Sequence, residues 1–131
     1  MRLLTIHQPW AWLICAGHKR FENRTWSTRY RGPVLIHAGA SCASLRAGID
    51  LADRLRIVMP DDLQFGAVIG SATIADCTPV SVVSDPFATG PYCFHLIDPV
   101  LFECPVLWKG ALGLIEPSDT LVDAIKASEN P

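Results

Sequence analysis

Three charged residues lie close together near the start of the chain: Lys19, Glu22 and Arg24. A strand from Lys19 to Trp26 would place Glu22 and Arg24 on one face, because side chains alternate along a strand. Lys19, at the corner before the strand, is within reach of that pair. Such a cluster keeps the glutamate ionised and makes the proton affinity of the lysine depend on burial, so it can bind or catalyse. The same spacing also fits an ion pair that only fastens a helix to a strand.

A short helix is predicted immediately before this cluster. Pro9 suits a first helical position, residues 10–16 are compatible with a helix, and Gly17 suits the left-handed residue that ends one. Trp10 and Trp12 are two residues apart and therefore cannot share a helix face. We expect Trp10 to border the site.

Short motifs throughout the chain occur in the order found in a known family. They are Gln8-Pro9-Trp10-Ala11, Gly17-x-Lys19-x-x-Glu22-x-Arg24-x-Trp26, Tyr30-Arg31-Gly32-Pro33, Ile36-His37-Ala38, Gly66-x-Val68-x-Gly70 with Asp76-Cys77, and Lys109-Gly110-Ala111-x-Gly113-Leu114. This pattern resembles the ASCH domain of the PUA-like superfamily. The resemblance implies an α+β fold, a small mixed β-barrel decorated by about three helices, as one domain over residues 1–131. It also implies a role linked to RNA.

Recognition of RNA or of a modified nucleoside is the first function that the resemblance supports. In that interpretation Lys19, Arg24 and Arg31 contact phosphate or an exocyclic oxygen. Trp26 or Tyr30 stacks on a base, because a base needs an aromatic or guanidinium face. The expected partner is single-stranded RNA or a modified nucleoside.

Three further residues are candidates for the same site. Gln8 carries an amide that can read a base edge. His37 ends an apolar strand, where a neutral imidazole can donate to a base or act as an acid or base, although a core position fits it better. Asp76 ends another strand, as a general base or as a turn-capping carboxylate.

Metal-independent hydrolysis is the alternative function. Some bacterial ASCH-like proteins are similar to amidohydrolases that remove an acyl group from modified cytidine with a K-x-x-T-x-R arrangement, which aligns with Lys19-x-x-Glu22-x-Arg24. Glu22 therefore stands where that threonine would be. It can instead activate water as a general base, with Lys19 or Arg24 stabilising the developing negative charge. Cleavage of single-stranded RNA is the other chemistry that this resemblance suggests.

Composition excludes several classes of protein. Half of the residues are hydrophobic, yet no apolar run approaches the roughly 20 residues that span a bilayer, so we expect no membrane contact and a cytoplasmic location. The five scattered cysteines contain no C-x-x-C pair, which argues against a disulfide framework or a zinc site and predicts reduced, mostly buried thiols. The histidines lack metal-ligand spacing, and no phosphate-binding glycine motif occurs, so no cofactor is expected.

Charge is distributed unevenly along the chain. Residues 1–40 contain six basic residues and one acidic residue, whereas the rest contains five basic and twelve acidic residues. The basic charge thus coincides with the motif, which favours a local site for an anionic ligand. The overall negative charge argues against a broad footprint on duplex DNA.

Strands outnumber helices in the remaining pattern, and their mixed order favours a small barrel. The segment 84–91, rich in proline and glycine, is predicted to be a mobile flap. The predicted strands are 2–6, 33–38, 66–75, 92–97, 100–103 and 111–115, and the predicted later helices are 42–57 and 118–127.

Overall fold

A computed structural model describes residues 1–129 and contains six strands and three α-helices in that range. No helix in these residues is long and apolar enough to cross a membrane. In chain order the elements are β1 (Arg2–Ile6), α1 (Trp10–Cys15), β2 (Phe21–Arg24), β3 (Gly32–Ala38), α2 (Leu45–Arg54), β4 (Ala67–Pro79), a 3₁₀ turn (Val80–Val82), β5 (Tyr92–Leu107), β6 (Leu114–Ile115) and α3 (Asp119–Glu129).

All six strands form one sheet in the order β2-β5-β4-β3-β1-β6. β1 and β3 are parallel, and the other neighbours are antiparallel. The sheet curls into a half-barrel, so that β2 at one edge approaches β1 near the other. Arg24 on β2 donates from Nη2 to the carbonyl oxygen of Thr5 on β1 at 2.8 Å. A side chain therefore bridges a gap that strand pairing leaves open.

Alternating side chains give the sheet two apolar faces. Leu4 belongs to a core cluster that includes Ile14 of α1, whereas its neighbour Leu3 belongs to a second cluster on the other face. The second cluster includes Leu121 and Ile125 of α3. Helices thus cover both faces of the sheet, and the cluster that includes α1 is the larger.

β5 corrects the prediction of separate strands at 92–97 and 100–103. It is one strand of 16 residues that contains Pro99 and Pro105. The register with β4 shifts next to both prolines, and such bulges are where a strand tolerates proline. β2 pairs only with Tyr92 to His95, so among residues 1–129 no strand pairs with the same edge of β5 from Ile97 onward.

The second helix is shorter than the predicted 42–57 and packs through small residues. Only Gly48 and Ala52 of α2 are buried. A Cβ atom added at Gly48 would lie 2.2 Å from the Cγ of Pro9, so α2 can approach the start of α1 this closely only with glycine there. The predicted strand at 111–115 is likewise reduced to two residues, Leu114–Ile115.

The cysteines do not share one environment, so the expectation of mostly buried thiols is wrong. Cys15 and Cys93 are buried, Cys77 is partly exposed, and Cys42 and Cys104 are exposed. All five are free thiols. Burial raises the pKa of Cys15 to about 12.

Candidate functional site

A cavity of about 330 Å³ lies where β1, β2, α1, α2 and the segment 84–91 meet. That volume is at the lower end of the range of about 300–1,000 Å³ that is common for small-molecule sites. Lys19, Glu22 and Arg24 form its charged wall, and Trp10 and Phe87 contribute aromatic rings. We call these three charged residues the β2 cluster.

Glu22 lies between the two cations of the β2 cluster. Its Oε1 is 3.3 Å from Nζ of Lys19, and its Oε2 accepts a hydrogen bond from Nε of Arg24 at 2.9 Å. Lys19 also donates to the carbonyl oxygen of Phe21. The side chains of Lys19 and Glu22 are only 3% and 9% exposed. The spacing in the sequence correctly predicts that the three groups meet.

Burial changes the proton affinity of Lys19. Loss of water around the ammonium lowers the pKa of Lys19 below its ordinary value, and the positive charge of Arg24 acts in the same direction. Glu22 opposes the shift, because its negative charge stabilises the ammonium. Lys19 therefore loses its proton more readily than a lysine in water.

Arg24 retains donors for a ligand. Its Nε binds Glu22, and its Nη2 binds the carbonyl oxygen of Thr5. Within residues 1–129, Nη1 of Arg24 makes no hydrogen bond, and the side chain is 21% exposed. A ligand oxygen in the cavity can accept from this nitrogen.

Two aromatic rings border the charged wall. Trp10 and Phe87 meet edge to face, with ring centroids 6.3 Å apart. Nζ of Lys19 is 5.8 Å from the centre of the Trp10 ring, close enough for a cation–π contact. Phe87 is only 5% exposed. The cavity thus combines a charged side with an apolar side.

Asn23 fixes the segment 84–91, which the sequence predicts to be a mobile flap. Its Nδ2 donates to the carbonyl oxygen of Phe87 at 2.9 Å, and its Oδ1 accepts from the backbone amides of Thr89 and Gly90 at 2.8 and 2.9 Å. Phe87 and Thr89 line the cavity. Sequence reasoning missed Asn23, although asparagine is uncommon inside strands and could have marked it as special.

Polar residues that the sequence did not single out form the rim. Nδ1 of His7 is 3.1 Å from Oγ of Ser44, which joins the end of β1 to the start of α2. Oγ1 of Thr5 accepts from the backbone amide of Ala111 at 3.2 Å. His7, Ser44 and Thr5 all line the cavity. No local motif marks them, because they come from distant parts of the chain.

Comparison with known proteins places these features in a family. A family model described as the ASCH domain matches residues 4–92, more than half of the chain. The chain belongs to the ASCH family. The ASCH domain is a PUA-like fold implicated in RNA binding.

Two curated relatives match part of the chain. Human Activating signal cointegrator 1 is 35% identical over 80 residues, which is 56% of this chain and 14% of that protein. The mouse protein of the same name is 34% identical over 80 residues, with the same coverage. The chain therefore spans only a small part of the length of these relatives.

Solved ASCH structures confirm the mixed α+β fold, a six-strand half-barrel sheet with three helices. A crystal structure of ASCH from Zymomonas mobilis has a TM-score of 0.60 and 13% sequence identity, covering 96% of this chain and 93% of that one. A mutant of the same protein has a TM-score of 0.60 and 13% identity, covering 96% of each chain. At this identity the likeness concerns the fold alone.

Gln8 does not line the cavity of the ASCH domain. Its side chain is fully buried. Its Nε2 donates to the carbonyl oxygen of Gln64 at 2.8 Å, and its Oε1 accepts from the backbone amide of Trp12 at 3.0 Å. These bonds hold the first turn of α1 against the segment before β4, and they occupy both ends of the amide.

The two aromatic residues expected to stack on a base lie outside this cavity. Trp26 packs edge-on against the core ring of Phe94, with centroids 5.2 Å apart. The hydroxyl of Tyr30 donates to the carbonyl oxygen of Pro33 at 2.7 Å. Both rings also pack against the larger core cluster, so part of each ring is buried in the core and is not available to a ligand.

Arg31 and Asp76 pair with each other on the outside of the domain, 3.4 Å apart. Asp76 also accepts from the backbone amide of Cys77 at 2.8 Å. His37 is buried, and its Nε2 is 2.6 Å from the carbonyl oxygen of Trp108. None of the three lines the cavity. In residues 1–129 no group of three or more histidine, cysteine or acidic side chains is arranged to hold a metal ion.

Proposed function

We propose that this ASCH domain recognises a nucleoside in the cavity beside the β2 cluster, either as a free modified nucleoside or as an unpaired residue of single-stranded RNA. One observation carries the proposal: a buried cluster with a net positive charge faces a cavity that also has an aromatic wall. Protein sites for unpaired nucleotides combine these features, because cations bind phosphate or carbonyl oxygens while rings contact the base.

In this proposal each wall of the cavity binds a different part of the ligand. Nη1 of Arg24 donates to a phosphate oxygen or to an exocyclic carbonyl oxygen of the base. Trp10 and Phe87 contact the apolar surface of the base or sugar. His7 and Ser44, at the rim, supply polar contacts to the part of the ligand that leaves the cavity. The positive charge of residues 1–40 favours the approach of a polyanion.

The test compares two arginines that differ in position. Fluorescence anisotropy measures the binding of labelled single-stranded RNA, and competition with unlabelled nucleosides ranks the free ligands. Arg24→Gln should weaken binding about tenfold or more, since a hydrogen bond to a charged group contributes about 1.5–3 kcal/mol. Arg31→Gln, its matched control on the outside, should leave affinity within about twofold. Circular dichroism checks that both variants fold.

The opposite result would assign ligand binding to a different surface. If Arg31→Gln weakens binding while Arg24→Gln does not, the ligand lies on the outer face near Tyr30 and Trp26. Equal affinity of the wild type and both variants would contradict recognition by either set of cations.

A metal-independent hydrolase is the second candidate function, acting on single-stranded RNA or on acylated nucleosides. The burial of Lys19, which lowers its pKa, next to a carboxylate in a cavity favours this function. Glu22 would have to release one of its two cations to act as a base. EDTA-treated protein, incubated with labelled RNA and with acylated nucleosides, should show turnover that Lys19→Ala abolishes. Binding without turnover would leave recognition alone, and full turnover by Glu22→Gln would remove the role of the glutamate.

A further inference from the structure

Lys19 presents a primary amine that recognition alone does not use. The chain has three lysines, Lys19, Lys109 and Lys126. Only Lys19 is buried, and of the three only Lys19 lines the cavity beside the β2 cluster. Lys109 and Lys126 are exposed and therefore serve as internal references for the reactivity of an amine on this protein.

The surroundings of Lys19 are those of a lysine nucleophile. A lysine becomes nucleophilic when it is removed from water or placed near another cation, because both effects favour the neutral amine. Lys19 meets both conditions: its side chain is 3% exposed, and Arg24 lies on the other side of Glu22. Glu22 stabilises the ammonium, but burial outweighs that effect, so the net shift lowers the pKa of Lys19.

We propose that Nζ of Lys19 forms an imine with an aldehyde carried by a nucleoside or a sugar in this cavity. The inference rests on the proposed function in one respect, namely that the cavity accepts a nucleoside. It goes further by naming an aldehyde as the reactive group and a covalent bond as the outcome.

The reaction balances without any further reagent. The neutral amine attacks the aldehyde carbon, an N–C bond forms, and the π electrons of the C=O bond move to oxygen, which takes a proton. Loss of that oxygen as water leaves a C=N bond. Overall, the ammonium and the aldehyde give a protonated imine and one molecule of water. The nitrogen keeps its positive charge, so the ion pair with Glu22 persists in the product.

Neighbouring groups can assist each stage. Oε1 of Glu22 is 3.3 Å from Nζ of Lys19 and can accept the proton that the ammonium must lose and return it when water leaves. Nη1 of Arg24 can donate to the carbonyl oxygen as negative charge develops on it. Trp10 and Phe87 limit water at that side of the cavity, which favours dehydration to the imine.

Reductive trapping tests the inference. The probe is cytidine that has been oxidised with periodate to its dialdehyde, and sodium cyanoborohydride reduces the imine to a stable secondary amine at neutral pH. Peptide mass spectrometry then measures the adduct on each lysine. Labelling of Lys19 should be about tenfold faster than labelling of Lys109 or Lys126. Unoxidised cytidine should slow the labelling of Lys19 alone. Labelling of Lys19 no faster than that of the exposed lysines would overturn the inference.

A second probe separates this inference from the proposed function. Glycolaldehyde carries an aldehyde but no base, so it reports the reactivity of Lys19 without requiring a nucleoside site. Rapid labelling of Lys19 by both probes supports both ideas. Rapid labelling by glycolaldehyde but not by the cytidine dialdehyde would overturn the nucleoside class of substrate and count against the proposed function. If cytidine displaces labelled RNA in the anisotropy assay but neither probe labels Lys19, recognition is supported and the imine is overturned.

Two variants assign the adduct to one atom. Lys19→Arg keeps a cation beside Glu22 but has no nucleophilic amine, so the fast adduct should disappear. The double variant with Lys109→Arg and Lys126→Arg leaves Lys19 as the single lysine and should keep the fast adduct in full. The double variant does not disturb the cavity, so it decides the matter even if Lys19→Arg folds poorly. Loss of the fast adduct in the double variant would contradict the assignment.

Discussion

The β2 cluster and the pair formed by Arg31 and Asp76 use the same kinds of side chain in different surroundings. In the cluster, Glu22 is 9% exposed and binds a cation with each carboxylate oxygen. In the outer pair, the side chains of Arg31 and Asp76 are 40% and 56% exposed and lie 3.4 Å apart. The difference is the access of water to the charges.

Access to water determines how much each group of charges contributes to stability and how far its pKa values shift. Exposed ion pairs are screened and contribute about 0–1 kcal/mol to stability. Buried ones cost more to form, and losing one partner leaves an uncompensated charge in a poorly solvated place. Burial also perturbs proton affinity, which explains why the pKa of Lys19 is lowered. The residue types in the sequence thus identify candidates, and burial distinguishes the β2 cluster from a solvated surface pair.

The largest expected effect comes from neutralising the central carboxylate of the cluster. Glu22→Gln keeps the shape of the side chain but leaves Lys19 and Arg24 close together without a counter-charge. We expect the free energy of unfolding to fall by about 3–5 kcal/mol, as for a broken buried ion pair. Urea denaturation followed by circular dichroism measures it. A loss below about 1 kcal/mol would place the cluster in the same class as the outer pair.

A smaller effect is expected from shortening the arginine that joins β2 to β1. Arg24→Lys cannot donate to Glu22 and to the carbonyl oxygen of Thr5 in the same geometry, so one charged hydrogen bond is lost. The free energy of unfolding should fall by about 1.5–3 kcal/mol. Arg31→Lys is the matched control and should change it by less than about 0.5 kcal/mol. Similar values for both variants would mean that the bond across the half-barrel adds nothing.

The lowered pKa of Lys19 should make the free energy of unfolding depend on pH. Its pKa in the folded protein lies below the ordinary value of 10.5, so between these two values the unfolded chain binds more protons. Stability conferred by this position therefore rises with pH through that window and levels off above 10.5. The difference in free energy of unfolding between wild type and Lys19→Met should accordingly shift in favour of wild type as pH rises toward 10.5. A flat difference would show that Lys19 is solvated.

The smallest effect should come from the outer carboxylate. Asp76→Asn removes the charge that faces Arg31 but keeps an oxygen for the backbone amide of Cys77. The free energy of unfolding should fall by less than about 1 kcal/mol, and high salt should remove most of that difference. Thermal denaturation at low and high salt checks this. A loss comparable with that of Glu22→Gln would remove the contrast between the two regions.

Sequence reasoning succeeded where a feature depends on neighbouring residues. Gly17, with φ of +89°, ends α1 as expected, and β2 presents Glu22 and Arg24 together. Lys19 reaches Glu22 because it lies at the corner between α1 and β2. Such contacts depend on the helix and strand periods, which a sequence displays directly.

It failed where a contact joins distant residues. Asn23 holds Thr89 and Gly90, which are 66 and 67 residues away, and nothing in a strand pattern indicates such a partner. Burial of Gln8 was missed for a similar reason, because its partner is Gln64. Aromatic composition alone also could not separate Trp10, which lines the cavity, from Trp26, which does not.

The bulges of β5 have a consequence for the behaviour of the protein at high concentration. A strand edge without a partner is a template on which another chain can add a strand, the first step of aggregation. The edge of β5 beyond Ile97 carries exposed apolar residues such as Val100 and Leu101. Pro99 and Pro105 have no amide hydrogen to donate, and the bulges next to them bend the strand. An incoming strand therefore finds no continuous row of hydrogen-bonding groups, which opposes aggregation along this edge.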